Sequence, residues 1–271
     1  MGLVINTNIA ALHTARVLNQ STQALNQSLQ RLSSGLRINT AADDAAGLAI
    51  ADGFHSVVLG TQVAQQNAQN GVNLVQTGDG ALSQTTNILQ RIRQLAVQAA
   101  NGTQSTDNRS AMNNEVQQLL AQIDSIASDT QFNGISVLSA SQTITLQSGA
   151  EQGQQLLVTV SGSKTSDLLI NTVNVSTMGS AISAIAQIDS ALKSVNIQRG
   201  AFGAYQNRLQ FTINTLAIQQ ENSSASESAI RDANIATETI SFTQNQILVS
   251  AGTSILAQAN VLPQTALQLL K

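Results

Sequence analysis

The residue types that could do chemistry are few and widely spaced in this sequence. There are two histidines, His13 and His55, and no cysteine. A zinc-hydrolase helix carries two histidines four residues apart with a glutamate between them, and neither histidine has such neighbours. Without cysteine, no thiolate nucleophile, disulfide or cysteine-ligated metal can form. The histidines therefore predict no metal site, and we expect His13 to be a partly covered interface residue.

Three aspartates, Asp43, Asp44 and Asp52, are the next candidates. Their spacing lacks the alternating oxygen ligands of a calcium loop. Asp43 and Asp44 directly precede an apolar run, where an aspartate accepts hydrogen bonds from the free N–H groups of a helix start. We therefore expect them to cap a helix. Gly78-Asp79-Gly80 lacks the strand and the GK[ST] sequence of a phosphate loop. The sequence predicts no catalytic residue, no metal site and no cofactor.

Composition excludes several classes of protein. Only 10% of the 271 residues are charged, with a net charge of −3, so the basic patch of a nucleic-acid-binding protein is absent. Aromatic residues are 2%, too few for a compact enzyme core, while 57 residues are Gln or Asn. No apolar run reaches the about 18 residues of a transmembrane helix, so no membrane partner is expected. These numbers favour an elongated helical protein that buries apolar stripes against neighbours.

Both ends of the chain carry apolar residues at heptad spacing. The first forty residues place apolar side chains every seven positions, and the last forty do the same with almost no charge. This is the pattern of a helix that packs along another helix. Because neither stripe could be buried alone, we expect the two ends to pack on each other. The predicted terminal seam consists of Leu18, Leu25, Leu29, Leu32, Leu248, Ile255, Leu262 and Leu269.

The middle of the chain changes its period twice. A helical pattern runs to about residue 130, with an expected break at 102–107 and an earlier pause at Ser33-Ser34-Gly35. Residues 143–146 and 156–160 flank a glycine-containing loop and predict a β-hairpin, with Val173 and Val175 in a further strand. From Ile182 the helical pattern resumes and continues to the C-terminus.

The predicted fold class is therefore mainly α. We expect a long antiparallel helical bundle or coiled coil formed by the N- and C-terminal segments, with a short β-hairpin insert. The expected domains are a discontinuous terminal coiled coil (1–42 and 225–271), a discontinuous helical bundle (43–140 and 178–224) and the β insert (141–177).

Several segments resemble bacterial flagellin. The N-terminal matches are INTNIAAL at residues 5–12, SLQRLSSGLRINTAADDAAGLAI at 28–50 and LQRIRQLAVQAANG at 89–102. The C-terminal matches are GAYQNRL at 203–209 and QILVSAGTSILAQAN at 246–260, followed by Pro263. The matches follow the family's order over about residues 1–140 and 180–271. The chain resembles a minimal flagellin without the variable outer domains.

The resemblance implies a non-catalytic structural subunit that polymerises with itself into the extracellular flagellar filament and serves motility. It implies that the chain ends are disordered in the monomer and fold on assembly. The alternatives are a hook–filament junction protein, which shares the terminal helices but typically has a DDP-like turn at the position of Asp43-Asp44-Ala45, and a cytoplasmic coiled-coil scaffold. An inserted enzyme would need more than the about 37 residues of the middle segment.

The resemblance also implies partners. Export would proceed unfolded through the type III apparatus without a cleaved leader, which agrees with an N-terminus that lacks a signal-peptide pattern. An export chaperone, the filament cap and hook-junction proteins are expected to bind. In flagellins sensed by a Toll-like receptor, the contacting positions correspond to Arg91, Leu95 and Glu115, although Gln94 replaces a common Glu. The alternative use of this face is packing between filament subunits.

Overall fold

The computed structural model describes residues 7–268, with the side chains of residues 7–261. Within this range the chain forms five helices and four short strands: α1 (Ile9–Ser34), α2 (Ala45–Ala99), α3 (Thr106–Asp129), β1 (Gln131–Phe132), β2 (Ile135–Ser136), β3 (Gln142–Gln147), β4 (Gln155–Val160), α4 (Met178–Arg231) and α5 (Ile235–Gln268). The prediction of a mainly α fold with a β-hairpin is confirmed. No helix within residues 7–268 is long and apolar enough to cross a membrane.

The chain divides into two compact units. Unit 1 contains residues 1–56 and 222–271, and unit 2 contains residues 57–221. Unit 1 is therefore built from two segments that are distant in sequence, whereas unit 2 is one continuous segment. The finer predicted boundaries, which separate residues 141–177 as an insert, stay a prediction.

Local capping residues set the helix ends in unit 1. Gly35 ends α1 in the left-handed conformation (φ +73°), and its N–H donates to the carbonyl oxygen of Arg31 at 2.9 Å. Glycine reaches this conformation without steric cost, so the predicted pause is confirmed. Asp44 caps α2 by accepting the N–H of Gly47 at 2.9 Å, as expected. Asp43 instead holds the preceding turn, because its carboxylate accepts the backbone N–H groups of residues 39 and 40.

The predicted helical pattern after Ile182 is formed by two helices, α4 and α5. Residues 232–234 interrupt it, and the Asn234 side chain accepts the N–H of Ala236 at 3.1 Å to start α5. Asparagine competes with the helix backbone in this way, which is why it favours helix starts. The interruption also pairs with the segment after α1, where the N–H of Ala233 donates to the carbonyl oxygen of Gly35 at 2.9 Å. Leu36 and Asp232 form an isolated antiparallel bridge at this point.

Unit 2 packs three helices and a hairpin around one apolar core. Its buried centre includes Leu89 of α2, Ile123 of α3 and Phe202 of α4. The predicted hairpin is confirmed as β3 and β4, which pair antiparallel with Ile144 opposite Val158. Alternate residues of β4 are buried and exposed, as expected for a strand with one face on the core.

Two parts of unit 2 differ from the expectations. The strands β1 and β2 form a small hairpin that was not predicted, with Asn133 and Gly134 both at positive φ in its turn. Asn-Gly is the sequence signal for such a turn. The strand predicted at Val173 and Val175 is wrong, because both residues lie in an irregular segment. Their side chains are buried, and the Gln117 side-chain amide donates to the Val173 carbonyl at 3.0 Å.

Candidate self-assembly surfaces

Helices α1 and α5 pair in antiparallel orientation in unit 1. The Asn8 side-chain amide donates to the carbonyl oxygen of Ala259 at 2.8 Å, near the start of α1 and the far end of α5. At the other end of the pair, Arg31 Nη1 lies 3.9 Å from Glu238 Oε2. Residue numbers therefore increase along α1 in the direction in which they decrease along α5. This antiparallel pairing brings the two distant chain segments together.

The seam on α1 combines one row of large residues with one row of small residues. Leu18, Leu25 and Leu32 are partly buried, as the heptad pattern predicted. The second inward row contains Ser21 and Ser28, and both are buried. Small side chains in this row let α5 approach closely, while the leucines fill the space beside them. Sequence analysis missed the serines because it searched for apolar residues.

The seam on α5 follows the same principle. One row contains Phe242, Val249 and Leu256, which are partly covered. The other contains Asn245 and Gly252, which are partly covered, and Ala259, which is buried. A Cβ atom placed on Gly252 would lie 3.3 Å from Leu18 Cδ1, so the two helices are close at this point. The available sequence signal for this close approach was a pair of small residues seven positions apart, Gly252 and Ala259, in a helix with little charge.

Three residues of the predicted seam do not lie between α1 and α5. Leu29, Leu248 and Ile255 are 47%, 45% and 57% exposed. On α1 the inward position beside Leu29 is taken by the small residue Ser28. On α5 the inward positions beside Leu248 and Ile255 are taken by Val249 and Leu256. Leu262 and Leu269 lie outside the side chains that the structure describes.

The outward face of α5 forms an exposed apolar surface. Ile240, Ile247 and Leu248 line a shallow groove together with Thr239, Thr243 and Gln244. Ile255 continues the exposed face toward the C-terminus. No charged residue occurs between Glu238 and Lys271 in the sequence. Unit 1 by itself therefore leaves a second apolar stripe uncovered after its own helices have paired.

Ionic contacts in unit 1 involve one of the two histidines. His55 Nδ1 lies 3.2 Å from Glu227 Oε1, and Arg231 Nη1 lies 3.8 Å from both Asp52 Oδ1 and Glu227 Oε1. His13 is exposed rather than partly covered. In the part of the chain with described side chains, no three His, Asp or Glu residues group as metal ligands would.

The three candidate receptor residues do not form one exposed patch. Arg91 of α2 and Glu115 of α3 are exposed and joined by an ion pair, with Nη2 and Oε1 2.7 Å apart. Leu95 is 3% exposed and lies in the core of unit 2. Leu95 lies one helical turn after Arg91, and it belongs to the buried cluster that also contains residues of α3 and α4. A surface role for the Leu95 side chain is therefore excluded by its burial, while Arg91 and Glu115 remain accessible.

Two further ion pairs join α2 to α4. Arg93 Nε donates to Asp189 Oδ1 at 2.7 Å, and Arg199 Nε donates to Asp79 Oδ1 at 2.8 Å. The hydrogen bond from Arg93 lowers the pKa of Asp189, and the contact with Asp79 raises the pKa of Arg199. Sequence analysis could not find these pairs, because their members are far apart along the chain.

Comparison with known proteins identifies this architecture. Residues 5–143 match the bacterial flagellin N-terminal helical region, and residues 185–270 match the bacterial flagellin C-terminal helical region. A 31.3 kDa flagellar filament core protein of Treponema maltophilum is 40% identical over 99% of this chain and 100% of its own length. Flagellin of Bacillus subtilis is also 40% identical, over 98% of this chain and 99% of its own length.

A solved structure from Vibrio parahaemolyticus, described as a flagellar hook-associated protein, matches with a TM-score of 0.60 at 12% identity. The match covers 70% of this chain and 100% of that one. At this identity the likeness concerns the fold alone. The two relatives that match over nearly their full length are named a flagellar filament core protein and a flagellin. The chain belongs to the bacterial flagellin family, and it carries both terminal helical regions with only a short β-containing segment between them.

Proposed function

We propose that this chain is a structural subunit that polymerises with copies of itself into a bacterial flagellar filament. The observation that carries the proposal is the outward face of α5, where Ile240, Ile247 and Ile255 stay exposed after α1 and α5 have paired. Complete burial of such a side chain is favourable by roughly 1.5–3 kcal/mol. A homopolymer supplies the missing surface, and full-length relatives are named flagellar filament core proteins.

The filament proposal requires contacts between two different patches of each subunit. The exposed apolar residues of α1, Ile9 and Leu12, and those of α5 offer two such patches. Contacts between different patches are head-to-tail, and they generate a helical filament when the rotation does not close.

Amide hydrogen exchange on monomer and polymer tests the assembly proposal. We expect the protection of residues 9–34 and 235–261 to rise strongly on polymerisation, because their outward faces become buried and local opening becomes rarer. Residues around Leu89 and Ile123, in the core of unit 2, serve as an internal control with high protection in both states. Equal protection of the terminal helices in monomer and polymer would contradict the proposal.

The role is structural rather than catalytic. This part of the proposal rests on the family, since the related full-length proteins are named flagellins and filament core proteins. In assembled form the subunit lies in the extracellular filament, where it contributes to motility.

Export is proposed to use the unfolded chain without removal of a leader. An export chaperone would cover the outward face of α5 before assembly, since Ile247 and Leu248 would otherwise be exposed in the cytoplasm. The filament cap and the hook-junction proteins are proposed as later partners. N-terminal sequencing of purified filaments tests the route, because a mature start well beyond Met1 or Gly2 contradicts it.

Recognition by a flagellin-sensing Toll-like receptor is proposed for Arg91 and Glu115 alone. Both groups are accessible and joined by a short ion pair, which orders the Arg91 side chain before binding. A receptor reporter assay on purified monomer should lose signal with Arg91→Ala. Arg93→Ala is the matched control, since Arg93 is two residues away and paired with Asp189. An equal response of wild type and Arg91→Ala would remove the proposal and leave filament assembly untouched.

A further inference from the structure

The chain contains three Asn-Gly pairs, a dipeptide that is prone to deamidation. They are Asn70-Gly71, Asn101-Gly102 and Asn133-Gly134. In this reaction the backbone nitrogen of the second residue attacks the side-chain amide carbon of the asparagine. Glycine favours the attack because it has no side chain to shield its nitrogen. Since the three dipeptides are identical, the structure around each of them decides which one reacts.

The pair Asn70-Gly71 is protected by the helix that contains it. It lies in the interior of α2, where the N–H of Gly71 belongs to the hydrogen-bond ladder of the helix. Gly71 is also buried, and a Cβ atom on it would lie 2.5 Å from Leu146 Cδ1. Attack by its nitrogen therefore requires α2 to open beside the core of unit 2, which is a rare event.

The pair Asn133-Gly134 is exposed but has an unsuitable backbone conformation. Both residues have positive φ, at 50° and 78°, in the turn between β1 and β2. The left-handed conformation has a positive ψ, whereas the five-membered succinimide ring that forms in the reaction holds the ψ of the asparagine at negative values. Ring closure would therefore break the pairing of Phe132 with Ile135 on either side of the turn.

The pair Asn101-Gly102 lies in the turn that joins α2 to α3. Asn101, Gly102 and Thr103 are all exposed. In the described part of the chain, the N–H of Gly102 donates to no other protein group. The φ of Gly102 is not in the left-handed region, and a Cβ atom on Gly102 would have no neighbour within 4 Å. Its nitrogen is therefore open to solvent and free of any ladder of hydrogen bonds.

The side chain of Asn101 is held in a suitable position for the first step. Its Oδ1 accepts the N–H of Thr103 at 3.2 Å, which folds the side chain over the Gly102 peptide. When the Gly102 nitrogen attacks Cγ, negative charge develops on Oδ1, and a backbone N–H at that oxygen stabilises it. The new N–Cγ bond forms and the Cγ–Nδ2 bond breaks. Ammonia leaves with the proton lost from the Gly102 nitrogen, and a succinimide is the product.

Hydrolysis of the succinimide has two possible products. Water adds to one of the two ring carbonyl carbons, the bond from that carbon to the Gly102 nitrogen breaks, and the nitrogen takes a proton from the water. Addition at Cγ gives aspartate with the original main chain. Addition at the former backbone carbonyl carbon gives isoaspartate, in which the main chain runs through Cγ and the backbone carbonyl has become a free carboxylate.

Arg109 of α3 contacts the oxygen that distinguishes these products. Its Nη2 donates to the backbone carbonyl oxygen of Asn101 at 3.0 Å, and its Nε donates to the carbonyl oxygen of Ala99 at 2.8 Å. The second bond anchors the guanidinium at the end of α2. A cation at the Asn101 carbonyl oxygen stabilises the charge that develops there when water adds, and it pairs with the carboxylate that results. Arg109 therefore favours isoaspartate.

We infer that Asn101 is a site of spontaneous deamidation, and that Arg109 directs the reaction toward isoaspartate. Water is the only co-reactant. The product carboxylate is ionised at neutral pH, so each modified chain gains one negative charge in the turn between α2 and α3. The isoaspartate also adds one carbon atom to the main chain at this turn. The inference goes beyond the proposed filament function and does not depend on it.

Peptide mapping by mass spectrometry, after incubation of the full chain in mildly alkaline buffer, tests the site. Replacement of an amide nitrogen by oxygen increases the mass of the affected peptide. We expect Asn101 to be converted at least about tenfold faster than Asn70 or Asn133, because only those two require local opening of secondary structure. Gly102→Ala is the matched control. It should keep the helix content of the natural chain and slow conversion by at least about tenfold, because a Cβ atom shields the nitrogen.

The share of isoaspartate among the products tests the role of Arg109. Electron-transfer fragmentation distinguishes isoaspartate from aspartate, and a synthetic peptide of residues 98–104 gives the share without Arg109. We expect a higher share in the folded chain than in the peptide. Arg109→Gln should return it to the peptide value, whereas Arg109→Lys should keep part of the excess. A purely structural role of Arg109 would change the rate of conversion and leave the share unaltered.

Each outcome bears on a separate part of the inference. No conversion of Asn101, or conversion of Asn70 or Asn133 at an equal rate, overturns the assignment of the site. Equal isoaspartate shares in the folded chain and the peptide, or a share unchanged by Arg109→Gln, overturn the role of Arg109. None of these results affects the filament proposal, which is tested by hydrogen exchange on the monomer and the polymer.

Discussion

The substitution Gly78→Ala probes how closely α2 and α4 pack in unit 2. A Cβ atom on Gly78 would lie 2.6 Å from Phe202 Cε2 and 3.1 Å from Val137 Cγ1. Optimal separation between carbon atoms is about 3.5–4.0 Å, so the methyl group and the ring would overlap. Phe202 is fully buried, and its ring can move only by displacing other core residues. Gly80, two residues later in α2, has open space around its Cα and serves as the control.

The expected magnitudes follow from two opposing terms. Replacing a glycine inside a helix by alanine is favourable by about 0.8–1 kcal/mol. Over-packing a well-filled core costs about 1–3 kcal/mol. Gly80→Ala should therefore raise the free energy of unfolding by up to about 1 kcal/mol, since only the first term applies. Gly78→Ala should be less stable than Gly80→Ala by about 1–3 kcal/mol, because only it carries the second term.

Urea unfolding followed by the near-ultraviolet circular dichroism of Tyr205 measures this difference. Tyr205 is the single tyrosine, and the chain has no tryptophan. Its hydroxyl oxygen accepts the N–H of Thr159 at 3.3 Å, so the signal reports on unit 2. Adding Phe202→Leu to Gly78→Ala should recover part of the loss, which a double-mutant cycle detects. Equal stabilities of Gly78→Ala and Gly80→Ala would refute the close approach of α2 and α4.

Three further outcomes are expected. Ser28→Leu should lower the free energy of unfolding of the α1–α5 pair by about 1–3 kcal/mol through over-packing, because Ser28 is buried. Leu29→Ser, on the exposed side, should change the free energy of unfolding of the monomer by less than about 0.5 kcal/mol. Backbone N–H groups that donate to the Asp43 carboxylate lower its pKa from the ordinary value of 3.8. The ionised carboxylate therefore stabilises its turn above about that pH, and this support is lost as the pH falls through the lowered pKa. An acid titration monitored by hydrogen exchange at that turn should show no such step in Asp43→Asn. Asp124→Ala removes the acceptor for both the N–H and the hydroxyl of Thr165, and should cost about 1–3 kcal/mol in urea unfolding because Thr165 is buried.

Features determined by neighbours along the chain were predictable from the sequence. Gly35 ends α1 and Asp44 starts α2, because each acts on backbone groups within four residues of itself. The β3–β4 hairpin was predictable for the same reason, since alternation along a strand and a glycine-containing loop are local patterns. Family membership was also accessible, because the matching segments lie at both ends of the chain in a fixed order.

Local signals that were present but not used explain some of the differences. Asn133-Gly134 is a hairpin signal, and Asn234 is a helix-start signal. In an Asn-rich sequence such signals are common, so they do not by themselves identify a turn or a helix start. The structure makes them decisive because β1–β2 and the 232–234 interruption are each supported by backbone pairing.

Tertiary structure determined which face of each helix is buried. Low-charge helices carry apolar residues on more than one side, so the heptad pattern permits several seams. Ser21 and Ser28, rather than Leu29, lie inward on α1 because a small row lets α5 approach, which depends on a helix more than two hundred residues away in sequence. Leu95 is buried in the core of unit 2, whereas Arg91, one helical turn earlier, is exposed and paired with Glu115 of α3. Sequence determined where each helix begins and which residues it offers, whereas contact with distant segments determined which of them are buried.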